Sequence, residues 1–206
     1  MDITESILQG IFESLGPIAT IAASSAVIYG INTWHKEFSG KRRIELAEDL
    51  LTLINEARDC IQQIRSSGVW QVEGQTRKPG PSETPEKKEI LDNCFIPIER
   101  YQHNREVFNK LQALQYRCAA RLGNRITEPL RNILKIPNQI IIAANLLKTN
   151  RIEQLSRQLD PDLLEVMKEQ RKIITGDGTD QDEILQVVNK AVEEIETICR
   201  PIIEKP

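Results

Sequence analysis

No lysine and no arginine occurs before residue 35, although the 206-residue chain holds 27 of them. Across residues 14–34 there is no charge of either sign. A secretory leader opens on a basic segment, whereas this chain opens with Asp2, Glu5 and Glu13, which favours an uncleaved segment. Behind residue 34, 27 acids meet the 27 bases, so the formal charge of −3 belongs wholly to the front. That balance argues against general nucleic-acid binding.

Other scarcities narrow the chemistry. Aromatics make up 4 % of the chain and no stretch keeps a period of two, so the whole chain reads as all-α. The four cysteines, Cys60, Cys94, Cys118 and Cys199, lie far apart, without C-x-x-C spacing and without a histidine at ligand distance. They read as reduced core residues of a cytoplasmic domain and not as a zinc site. Neither of the two histidines, His35 and His103, stands in a catalytic pattern. Asp177, Asp180 and Asp182 start like a calcium loop, but the glycine and glutamate that such a loop needs are replaced by Asp182 and Val188. A turn followed by a helix cap explains them better. Phosphate-binding, nucleophile-elbow and zinc-protease motifs are all missing. The expectation is a protein that is not an enzyme and binds no cofactor or metal.

What the front does contain is a span. Residues 14–34 number 21, about 31 Å of helix, against a hydrocarbon core of roughly 30 Å. Phe12 stands at one edge and Tyr29, Trp34 and Phe38 at the other, as interfacial aromatics do. Lys41, Arg42 and Arg43 follow, placing the C-terminal part in the cytoplasm, the N-terminus outside, and these three bases against lipid headgroups. Ala22, Ala26 and Gly30 form a small-residue stripe that permits self-association of the span into a homo-oligomer. Residues 1–13 carry Ile3, Ile7, Leu8, Ile11 and Phe12 on one face, and Gly16-Pro17 then interrupts the pattern. A short amphipathic segment and one kinked helix running through to Trp34 both fit.

Residues 35–206 read as an antiparallel up-and-down helical bundle. A first helix over residues 40–66 shows Ile44, Ala47, Leu50, Leu51, Ile54, Ala57, Ile61 and Ile64 on one face, with Arg58 and Arg65 off it. Three bases at a helix N-terminus would oppose the macrodipole, unless lipid lies beside them or the helix continues backwards. Residues 68–85 form a long loop, and Trp70, Arg77 and Lys78 within it are the candidate partner-binding residues. Thr84-Pro85-Glu86 caps a helix to about Leu122, with Pro97 inside. Further helices cover Thr127 to about Lys148, Pro161 to about Thr175, and Asp180 to about Pro201. The run Ile140-Ile141-Ile142-Ala143-Ala144 should be the most buried segment. The last helix repeats Ile184, Val188, Ala191, Ile195, Ile198 and Ile202 as a coiled-coil seam.

Several short stretches, in order, resemble an uncharacterised family of bacterial proteins with one N-terminal transmembrane helix and a cytoplasmic helical domain. They are Trp34-His35-Lys36-Glu37, Gly40-Lys41-Arg42-Arg43, Glu45-Leu46-Ala47-Glu48, Ala57-Arg58-Asp59, Gln75-Thr76-Arg77-Lys78-Pro79, Leu111-Gln112-Ala113-Leu114, Glu128-Pro129 and Ile195-Glu196-Thr197-Ile198-Cys199-Arg200-Pro201. The resemblance implies a bacterial inner-membrane location and adds no catalytic residue. The expected role is that of a membrane-anchored interaction or scaffold protein with the bilayer and a second protein as partners. An oligomerising membrane effector of a stress or phage-defence system and a soluble bundle with a buried first helix are the alternatives.

Overall fold

The computed structural model describes residues 3–69, 72–155, 161–176, 179 and 181–204, with side chains omitted for residues 3–19 and 21–23. Among the described residues every regular element is helical. The helices are α1 (Ile3–Ile64), α2 (Pro85–Leu122), α3 (Thr127–Gln154), α4 (Pro161–Thr175) and α5 (Glu183–Glu204). Gly16-Pro17, expected to break the pattern, lies within α1. So do Lys41, Arg42 and Arg43, which removes the helix N-terminus that they would have opposed.

The chain divides into two compact units, with the boundary between Glu45 and Leu46. The second unit is the bundle. From α1 it takes Leu46, Ala47, Leu50, Ile54, Ala57, Ile61 and Ile64, all nearly inaccessible to water. These pack in one core with Phe108, Leu111, Leu114 and Cys118 of α2, Leu130, Ile133, Ile136 and Ile140 of α3, and Val188, Ala191, Val192, Ile195 and Cys199 of α5. Each fully buried Leu or Ile contributes about 1.5–3 kcal/mol. A second cluster joins Cys94 of α2 with Ala143, Ala144 and Leu147 of α3 and Met167 and Ile174 of α4.

Neighbouring helices run antiparallel. Cys60 of α1 donates to Asn104 of α2, and Arg100, one turn earlier on α2, reaches the carbonyl of Gln63. Gly123 (φ +101°) closes α2, and a single 3-10 turn, Asn124–Ile126, leads straight into α3. Thr84 caps α2 by accepting from the Lys87 amide, with Pro85 at the first helical position. Cys94 packs on Leu147, far from that turn, as an antiparallel pair requires. Asn150 of α3 donates to Gln170 of α4 at 3.2 Å.

Three expectations need correction. Ile142 is half exposed, as is Leu146, so the run over residues 140–144 is buried on one side only, by Ile140, Ala143 and Ala144. An α-helix turns 100° per residue, and α3 has neighbours around only part of its circumference. In α5 the buried set includes Val192 and Cys199 beside Val188, Ala191 and Ile195, a face wider than a coiled-coil seam. Arg65, placed off the apolar face by its charge, is 5 % exposed.

Candidate functional site

In the first unit, each residue from Ser24 to Ser39 is exposed, and the stretch includes Val27, Ile28, Tyr29, Ile31, Trp34 and Phe38. Spacing of four residues on the helix brings Trp34 and Phe38 into a stacked pair with centroids 5.5 Å apart. The guanidinium of Arg42 then lies 4.6 Å from the Phe38 ring centroid, a cation–π contact. Lys41, Arg42 and Arg43 are all exposed. Aromatic rings and bases thus form one continuous feature on α1. Of the small-residue stripe, Ala26 and Gly30 are exposed, and Ala22 has its side chain outside those described. Among the described residues no helix is long and apolar enough to cross a membrane. The expected span overlaps residues 14–19 and 21–23, whose side chains are not among those described.

The second candidate is the loop over residues 68–85. Trp70 lies outside the described residues. From Val72 onward the loop is strapped onto α2. Glu99, a buried carboxylate, accepts from the Gly74 amide and from the Thr76 hydroxyl, both at 2.5 Å. Gly74 has φ +80°, and a Cβ there would stand 2.4 Å from the Asp92 carbonyl oxygen. Glycine is required both by the backbone and by the space. Arg100 pairs with Glu73 at 2.7 Å and donates to the carbonyls of Gln63, Ser66 and Gly68, so it also caps the C-terminal end of α1.

Arg77 is not held out toward a partner. It pairs with Glu83 at 2.6 Å and with Asp92 at 2.9 Å and is 15 % exposed. Its two carboxylate partners raise its pKa further, chiefly through the hydrogen bond to Glu83. Glu83 in turn is lowered from 4.5 to about 2, first by Arg77 and then by the Gly80 amide. Because the folded pKa lies below the unfolded one, this clamp is complete above about pH 4.5 and is lost as pH falls toward 2. The exchange protection of residues 74–83, taken relative to the intrinsic rate at each pH, should therefore fall across that window ahead of the bundle core. Protection that stays flat to pH 2 would show that the ion pair does not hold the strap. Lys78 is exposed, as are Val69 and Val72. The strap thus turns Glu73, Arg77 and Glu83 inward and leaves Lys78 and two valines outward. Single-residue charge reading missed this, although Arg77 and Glu83, six apart around a Pro-Gly-Pro turn, are a signal that could have been found.

The third constellation was not foreseen. Arg65, at the end of α1, donates to Asp182 at 2.9 Å and to the carbonyls of Ile173 and Lys172 at 3.0 and 2.8 Å. Asp182 is the N-cap of α5, accepting from the amides of Ile184 and Leu185. One side chain thus joins the end of α1, the end of α4 and the start of α5. Asp177 and Asp180 lie outside the described residues.

All four cysteines are free and buried. Burial raises every thiol pKa, Cys118 to about 12 and Cys199 to about 11. Such thiols are inert toward ordinary electrophiles. His103 is exposed, and its Nδ1 lies 2.9 Å from the Glu99 carbonyl oxygen. Among the described residues no group of three His, Cys, Asp or Glu side chains could hold a metal ion. A groove of about 450 Å³ between α2 and α3 is lined by Tyr101, Phe108, Gln112, Tyr116, Arg131 and Lys135, with no acid on its walls. No protein-family model, curated protein or solved structure matches this chain, and the functional reading rests on its residues and their geometry.

Proposed function

We propose that this chain is a single-pass, membrane-anchored helical interaction protein without catalytic activity, its N-terminus outside and its bundle in the cytoplasm of a bacterial cell. The observation that carries the reading is the exposed apolar belt on α1, Val27 to Phe38, ending in a ring stack capped by Arg42. Apolar surface of that extent marks an interaction site or a membrane contact. The absence of charge over residues 14–34, with bases only on the C-terminal side, favours the bilayer and sets the direction. The alternative of a soluble bundle that buries its first helix fits poorly with the exposure of residues 24–39.

The bundle's partner-facing surface is the outer side of the strap, with Val69, Val72 and Lys78 exposed while Arg77 and Glu73 hold it in place. The partner of this reading is a soluble protein. Carbonate extraction of membranes from expressing cells tests the anchor, and the chain should stay in the pellet. Release into the supernatant would end the membrane reading. Trp70→Ala with Lys78→Ala should lower partner recovery in a pull-down, and unchanged recovery would remove the strap's role.

A second reading, an oligomerising membrane effector, draws on Ala26 and Gly30 being exposed, with nothing near the position of a Gly30 Cβ. Toxicity on overexpression that Ala26→Leu abolishes would favour it.

A further inference from the structure

Between Leu111 and Leu147 the chain has five bases, Arg117, Arg121, Arg125, Arg131 and Lys135, and one acid, Glu128. All five bases are exposed. Elsewhere on the bundle exposed bases such as Lys110, Lys168, Lys172 and Arg200 sit beside a glutamate one turn away. Among the described residues none of the five has an ion-pair or hydrogen-bond partner. They flank a single tight corner, Gly123 and the turn Asn124–Ile126, which brings the end of α2 against the start of α3.

The antiparallel register says where that corner lies. Cys60 is level with Asn104, and the charge of Asp49 is felt by the Cys118 thiol. At 1.5 Å per residue on both helices, Cys118, one turn before the end of α2, is level with Leu46, the first residue of the bundle unit. The basic corner is therefore at the end where the chain enters the bundle. Lys41, Arg42 and Arg43 are the residues just before that entry. Glu45, Glu48 and Asp49 of α1 are the acids nearest in sequence to the entry, and none of them pairs with a corner base.

We propose that the α2–α3 corner is a docking surface for the anionic headgroups of the bilayer, carried by Arg117, Arg121, Arg125 and Arg131. The proposal rests on the membrane reading above and adds to it a site on the bundle itself. Among the described residues these exposed arginines have no ion-pair partner, and their charge matches an anionic leaflet. Each base near such a surface is worth roughly fivefold in partition, and the attraction fades within a Debye length of about 8 Å at physiological salt.

The test uses the full chain with Asn124→Cys carrying a polarity-sensitive fluorophore, since the four native thiols are buried. The protein is reconstituted into phosphatidylcholine vesicles with or without phosphatidylglycerol. Phosphatidylglycerol should shift the probe toward an apolar environment, and raised salt should reverse the shift. Arg117→Gln, Arg121→Gln and Arg125→Gln together should weaken the response on the order of tenfold or more. Circular dichroism and urea midpoint check that the triple variant folds. A probe that responds equally in both lipids, or a triple variant that responds as the parent does, overturns the proposal. So does salt-sensitive binding of RNA through these arginines with no response to phosphatidylglycerol.

Carbonate extraction of the same vesicles reads the anchor separately. A retained chain with a silent probe removes the corner and leaves the anchor. A released chain whose probe still responds to added phosphatidylglycerol vesicles removes the anchor and leaves the corner.

Discussion

Arg65→Ala should destabilise the bundle by about 3–5 kcal/mol, read as a shift in the urea midpoint at unchanged slope. Its partner Asp182 is 7 % exposed, so truncating the arginine leaves a carboxylate buried without a countercharge. The carbonyl of Ile173 loses its donor in the same step, at the end of α4 where the helix cannot supply one. Asp182→Asn separates the two roles of the acid. An amide oxygen still accepts from Ile184 and Leu185, so the cap survives, and Arg65, though it loses its countercharge, keeps the carbonyls of Ile173 and Lys172. It should cost clearly less than Arg65→Ala. Equal effects from the two variants would mean that the pairing and not the geometry of the junction dominates. A midpoint unmoved by Arg65→Ala would show that water enters the junction and solvates the acid.

Gly74→Ala should have the second largest effect, and of a different kind. An L-residue at φ +80° costs about 1–2 kcal/mol, and the added Cβ collides with backbone at Asp92, which cannot swing aside as a side chain would. The strap is attached to α2 by discrete polar contacts, so it can lift while the core stays closed. Limited trypsin cleavage after Arg77 should therefore accelerate at least about tenfold, since 1.4 kcal/mol is a factor of ten in an opening equilibrium. The thermal midpoint of the bundle should move far less. Unchanged cleavage would mean that the strap is open in the parent protein too.

Helix type and most helix starts in the bundle were legible because they depend on short-range grammar, whereas the segments read separately over residues 1–66 are one helix, α1. Thr84-Pro85-Glu86, Thr127 followed by Pro129, and Pro161 marked starts that the structure places within a residue or so. The buried face of α1 followed from three- and four-residue spacing of Leu, Ile and Ala. What sequence alone missed is polar and non-local. Arg65 reads as solvent-facing because charge usually is, yet its partners are more than a hundred residues away. Glu99 reads as one more surface acid until Gly74 and Thr76 are laid against it. The loop lies between α1 and α2, and Arg77, read there as a candidate partner-binding residue, is engaged by Glu83 and Asp92 instead of standing free. The basic corner was invisible for the opposite reason. Its bases span 19 residues of sequence and are divided among the end of α2, the turn and the start of α3.

The Arg65 junction also sets an order of events during synthesis. The first bundle helix leaves the ribosome early, but the acid that neutralises its terminal arginine and the α5 residues that share its core come more than a hundred residues later. At roughly 5–20 residues per second, the core face of α1 waits several seconds for its last partner. A chain stopped before Val188 would leave the α5 side of that core uncovered, a surface for chaperones and proteases to read. Completion of the C-terminal helix is thus a quality signal written into the topology: the first segment of the bundle to be made is the last to be sealed.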